Sequence, residues 1–205
     1  IALDFYQQAD QLAMENQLFD QAIFAQVKMA LNAAWLDDGQ QALQHLQQGD
    51  ELLPQIKDIE QKAWYEIEKA TVLTDIGQRQ QGLLLAQSVL QTVTDAGIDE
   101  AKLLGRIHNE LGVSYGDIDH EKSYQHHQQG LQLARQVYGD KYPKTYERLI
   151  NTATSLQRIE RYDEADQLFI EAQQTGELLY PEGHPSLARF IAERAVHYHD
   201  RGAFN

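Results

Sequence analysis

The sequence predicts an all-α chain built from repeated pairs of antiparallel helices. Two ladders of small residues carry that prediction. A recurring tyrosine-to-proline segment supports it, as does the scarcity of proline, with 4 in 205 residues. The first ladder is Ala30, Ala70, Gly112, Ala153 and Ala195, spaced 40, 42, 41 and 42. Three residues after each stand Ala33, Leu73, Tyr115, Leu156 and Tyr198. The second ladder is Ala2, Ala42, Gly82, Ser123 and Ala165, spaced 40, 40, 41 and 42. Four residues beyond come Tyr6, Leu46, Ala86, His127 and Phe169, and three further on Ala9, Gly49, Val89, Gly130 and Ala172. Steps of three and four hold side chains on one helical face. A period near 40 signals a repeat array, in which one unit cannot bury its own apolar face and the stack is stable.

The elements follow from the ladders. Residues 1–16 read as the second helix of a truncated repeat. First helices are expected at roughly 19–37, 56–76, 99–116, 143–159 and 185–202, and second helices at roughly 39–52, 79–95, 120–137 and 162–178. The full repeats then cover about 19–54, 55–97, 98–139 and 140–182, with 183–205 opening another, all in one array over 1–205. Gly39, Gly77 and Asp117 mark turns inside repeats, and Pro54, Gly97 and Gly139 turns between them. Tyr138 to Pro143 and Tyr180 to Pro185 are the same segment 42 residues apart. Their final prolines suit a first helical turn, where no backbone N–H is needed. The chain starts and stops in mid-pattern without an initial Met, as expected of a piece of a larger protein.

Composition narrows the function. Apolar residues at 42% permit a buried core. A formal charge of −14 disfavours nucleic acid and favours basic or amphipathic partners, while also keeping a large surface solvated. Cysteine is absent, so disulfides and thiolate chemistry are excluded. No apolar run reaches the ~20 residues of a membrane span, and a cytoplasmic location is expected.

Chemistry is sparse. His126 and His127 are adjacent, and His197 and His199 are two apart, so neither pair shares a helical face. His120-Glu121 has Tyr124 where a zinc-protease motif needs its second histidine. Asp117-Ile118-Asp119-His120 is too short for a calcium loop and reads as a turn and helix cap. Glu66, Glu68, Glu110 and Glu193 form no acid–base pair around a pocket. No phosphate-cradling loop or nucleophile motif is found. No enzyme activity, metal or cofactor is expected. Trp35 and Trp64 could meet a ligand or simply pack between helices.

These patterns resemble the tetratricopeptide repeat. Leu111-Gly112 with Tyr115 fits its first helix. Ala165, Phe169 and Ala172 fit its second helix, which Arg161-Tyr162-Asp163-Glu164 opens. Ala203-Phe204 falls 42 residues after Arg161-Tyr162. The long period and Gly183-His184-Pro185 are similar to the kinesin light chain-like variety and to repeats of bacterial regulators. The resemblance implies a right-handed α-α superhelix whose inner face, lined by first helices, holds a protein or peptide of unknown identity. It also allows a second role, as the ligand- or peptide-sensing segment of a larger bacterial signalling or transcription regulator. The implied inner positions are Val27, Lys28, Leu31, Ile67, Glu68 and Thr71. Further along come Arg106, Asn109, Val113, Ile150, Asn151, Thr154, Arg158, Arg189, Glu193, Val196 and His199. Asn109 and Asn151 could bond a ligand's backbone N–H and C=O together. Arg106, Arg158 and Arg189 could form an anion-binding patch, although Arg106 and Arg189 each stand one turn before a glutamate.

Overall fold

The computed structural model describes residues 2–202. Ala203-Phe204, and the side chain of Ala2, lie outside the described residues. Ten α-helices run along the described chain: α1 (Ala2–Glu15), α2 (Phe19–Trp35), α3 (Gly39–Leu52), α4 (Ile59–Asp75), α5 (Arg79–Asp95), α6 (Ala101–Tyr115), α7 (His120–Tyr138), α8 (Pro143–Arg158), α9 (Tyr162–Leu179) and α10 (Pro185–Asp200). A single 3-10 turn, Leu53–Gln55, follows α3, and no strand occurs among the described residues.

Local chemistry sets the helix starts. Asp38, Asp58 and Asp119 each accept the backbone N–H three residues on, at 2.9, 3.0 and 3.0 Å. These bonds satisfy donors that the first turn leaves unpaired. Pro143 and Pro185 open α8 and α10, as their missing N–H allows. Turns use the left-handed region. Gly77, Gly97, Gly139 and Gly183 have positive φ, but so do Gln17, Asp37 and Glu160, at 57°, 60° and 61°. Gly39, expected in a turn, instead opens α3, and Asp37 takes the left-handed position.

The chain forms two compact units, residues 1–99 and 100–205. In the first, α2 pairs with α3, α4 with α5, and α1 packs on α2. Its core joins Val27, Ala30, Ala42, Leu46, Tyr65 and Val72. The Tyr65 hydroxyl donates to the Leu46 carbonyl at 2.9 Å. Its ring covers Gly49, where an added Cβ would meet the hydroxyl at 2.6 Å. The small step of the second ladder is therefore a seat for a large side chain from the next helix.

In the second unit, α6 pairs with α7 and α8 with α9, and α10 packs on both α8 and α9. Phe169 is wholly buried among Tyr146, Leu149, Ala153 and Phe190. His127 occupies the position of Phe169 one repeat earlier. Its ring lies over Gly112, where an added Cβ would come within 2.2 Å, and its Nδ1 meets Ser155 Oγ at 2.5 Å. His127 thus ties α7 to α6 of its own repeat and to α8 of the next. Ala30, Ala70, Ala153, Ala42 and Ala165 are fully buried. Ala195, in the same register, is exposed on α10.

Candidate binding face

The first helices of the second unit bring most of the expected residues together. Asn151 on α8 donates from Nδ2 to Oδ1 of Asn109 on α6 at 3.0 Å. Arg189 on α10 donates from Nη2 to Oδ1 of Asn151 at 2.9 Å. One polar relay therefore crosses three consecutive first helices. Its direction follows from chemistry. A guanidinium only donates, so Arg189 demands the oxygen of Asn151, which turns that amide's nitrogen toward Asn109. Both asparagine oxygens are engaged inside the relay. Each oxygen keeps a second lone pair, so both amides retain an acceptor as well as an N–H donor for a ligand.

Neighbouring contacts repeat the theme. Thr154 donates to Glu193 at 3.4 Å, linking α8 to α10. Arg158 donates to the Gly116 carbonyl at 2.8 Å and lies 3.5 Å from Asp117, linking α8 to the end of α6. Arg106 pairs with Glu110 at 3.5 Å, and Glu110, only 1% exposed, also accepts from Ser114 at 3.2 Å. So Arg106 takes the glutamate one turn on, whereas Arg189 reaches across to Asn151 instead. Val113 is half-buried beside them.

The sequence reading missed Arg148, which is buried on α8. Burial, and next the Arg106 charge, push its guanidinium down to about 10. The ladder gave no signal for it as a binding residue, since the 41-residue step from Gly112 to Ala153 aligns Arg106 with Glu147. Val27, Ile67 and Ile150, expected on the inner face, are core residues instead, exposed by 2%, 0% and 2%. They are apolar at positions where neighbouring helices meet, and burial claims them. Val196 and His199 are exposed on α10.

In the first unit the equivalent positions carry an ion pair, with Lys28 Nζ on α2 3.4 Å from Glu68 on α4. Beside it lies an open groove of about 900 Å³, walled by α1, α2 and α4 and lined mainly by apolar side chains, Trp64 among them. Trp35 stands elsewhere, 79% exposed.

Two imidazoles meet at the α6–α7 seam. His108 Nδ1 lies 3.0 Å from His126 Nδ1, and Tyr115 stacks on His126. Burial, then the neighbouring imidazole, lowers His108 to about 4. Among the described residues no cluster of three or more metal-binding side chains occurs. No described helix is long and apolar enough to cross a membrane.

No family model and no curated protein matches the sequence. Solved structures do resemble it. BtubC (BKLC) from P. vanneervenii superposes with a TM-score of 0.80 at 13% identity, covering 98% of this chain and 82% of that one. The kinesin light chain-type repeats of Podosopora anserina give 0.70 at 17%, covering 88% and 87%. The Rap protein complexed with competence and sporulation factor gives 0.71 at 13%, covering 98% of this chain but 60% of that one. At these identities the likeness speaks to fold alone. Periodicity, small-residue ladders, helix hairpins and superpositions agree: this chain has the tetratricopeptide-like helical repeat fold.

Proposed function

We propose that this chain is a protein- or peptide-binding scaffold, not an enzyme. Its contact face is formed by α6, α8 and α10, at Arg106, Asn109, Val113, Asn151, Thr154, Arg158, Arg189 and Glu193. The relay Arg189–Asn151–Asn109 is the observation that carries this reading. It spends polar side chains on three adjacent helices at positions where the other repeats use apolar packing or an ion pair, and it leaves amide donors for a partner's acceptors. Backbone carbonyls of an extended peptide match such a row. The net charge of −14 argues against direct nucleic-acid contact. We place the protein in the cytoplasm.

A second reading has one specific support. The Rap structure, complexed with competence and sporulation factor, is longer than this chain, which covers 60% of it. On that reading the repeats sense a peptide or small ligand for a larger regulator. Both readings use the same face. The test is recovery of partners from the source cell with Asn109→Ala/Asn151→Ala, against the second-helix variants Gln125→Ala and Gln167→Ala. Loss with the first and retention with the others is expected, given matching circular dichroism. The reverse pattern moves the face to the second helices and removes the proposal.

A further inference from the structure

We infer that Arg148, with Arg106 beside it on the neighbouring first helix, is a seat for one carboxylate of the partner, an aspartate or glutamate side chain. This rests on the reading of α6, α8 and α10 as the contact face and gives the partner a chemistry. Register supplies the first argument. Five residues before each step of the first ladder stand Ala25, Tyr65, Ile107, Arg148 and Phe190. All five are buried. The position belongs to the core, and of the five helices only α8 puts a guanidinium there. A buried charge is costly unless it is paired and hydrogen-bonded. Among the described residues the Arg148 guanidinium donates no hydrogen bond, and its one ion pair, with Glu147, is 3.9 Å long. Lys144 holds that glutamate more closely, at 3.2 Å. Packing does not call for an arginine here, since Ile107 fills the same register with a fully buried apolar side chain. A charge kept in the core without a close partner is a group whose partner arrives from outside.

The surrounding charges select the ligand. After burial, the Arg106 charge is what most disfavours the charged form of Arg148, while Glu147 and Glu110 act in the opposite sense. Arg106 itself pairs with Glu110 at 3.5 Å. Arg106, Arg148 and Lys144 thus face Glu110 and Glu147, which leaves one positive charge in excess. One carboxylate balances it, whereas a phosphate dianion overshoots it. A guanidinium fork also matches the two oxygens of a carboxylate in a bidentate pair. The net charge of −14 repels acidic partners at long range, so this seat discriminates at contact and not by steering.

The test uses pools of short dye-labelled peptides with blocked termini, random among uncharged residues except at one fixed central position. That position is glutamate, glutamine or phosphoserine, and binding is read by fluorescence polarisation. The glutamate pool should bind about tenfold or more tightly than the glutamine pool, as when a buried charge gains its partner. Arg148→Met should erase that preference and keep or raise the melting midpoint, because an apolar side chain suits a core register. Lys122→Met, the same charge change at the exposed start of α7, should leave the preference intact. Equal losses with Arg148→Met and Lys122→Met would reduce the effect to general attraction and overturn the proposal. So would a glutamate pool that fails to bind or binds no better than the glutamine pool, a preference that survives Arg148→Met, or a phosphoserine pool bound above the glutamate pool. If Arg148→Met fails to fold, Arg148→Lys decides: it keeps the charge and loses the fork, so the preference should fall severalfold, and an unchanged preference overturns the seat. Asn109→Ala/Asn151→Ala is read separately and should weaken all pools alike. No change with that variant, beside a preference lost with Arg148→Met, would remove the relay as a contact and leave the carboxylate seat standing.

Discussion

At the scale of single residues, small side chains and left-handed turns hold the fold. Gly112 has the ring of His127 where a Cβ would go. Gly112→Ala should therefore cost about 1–3 kcal/mol by overpacking, measured in denaturant melts. Glu160 pays for a left-handed φ without being glycine. Glu160→Gly should gain up to about 1 kcal/mol, since an L side chain in that region costs roughly 1–2 and glycine's extra chain entropy takes part of it back. Histidines set a pH dependence. Burial first lowers both His127, to about 3, and His108, to about 4, from the ordinary 6.5. Between these values and about 6.5 the unfolded chain binds protons that the folded one refuses. Stability should thus be full above pH about 6.5 and fall steadily below it. His127→Gln and His108→Gln should flatten that fall. A melt midpoint that rises on acidification over this range would contradict the assignment.

At the scale of helices, register decides what a substitution costs. Ala153 and Ala195 share a ladder, yet Ala153 is sealed between helices while Ala195 is exposed. Ala153→Leu and Ala165→Leu should each cost about 1–3 kcal/mol. Ala195→Leu should stay within about 0.5 kcal/mol, as surface changes do. Equal costs would mean that the exposed face of α10 is occupied. These ladders were the most legible feature of the sequence, because helix packing repeats with the chain and leaves its period in composition. The helix spans fell within a few residues of the ladder-based bounds for the same reason. The turns were less legible. Asp37 and Glu160 take a glycine's conformation without a glycine, and propensity carries no sign of that. The relay was half legible. Register brought Asn109 and Asn151 into view, but the amide polarity depends on Arg189 reaching across 38 residues. Arg148 escaped, since burial is a property of neighbours and not of a residue type.

At the scale of the molecule, contacts are local within each of two units, so unfolding should depart from a single cooperative step. Native-state hydrogen exchange should show more than one opening free energy, distributed by unit. One uniform value across α2 to α9 would contradict that. The central claim is that α6, α8 and α10 form the face that holds a partner. Hydrogen exchange on the partner-bound protein tests it most directly. The account predicts new protection at the relay, in the α6 segment around Asn109, the α8 segment from Asn151 to Arg158, and the start of α10 at Arg189. The exposed sides of α7 and α9 should exchange as before. Protection confined to α7 and α9, with α6, α8 and α10 unchanged, would contradict it.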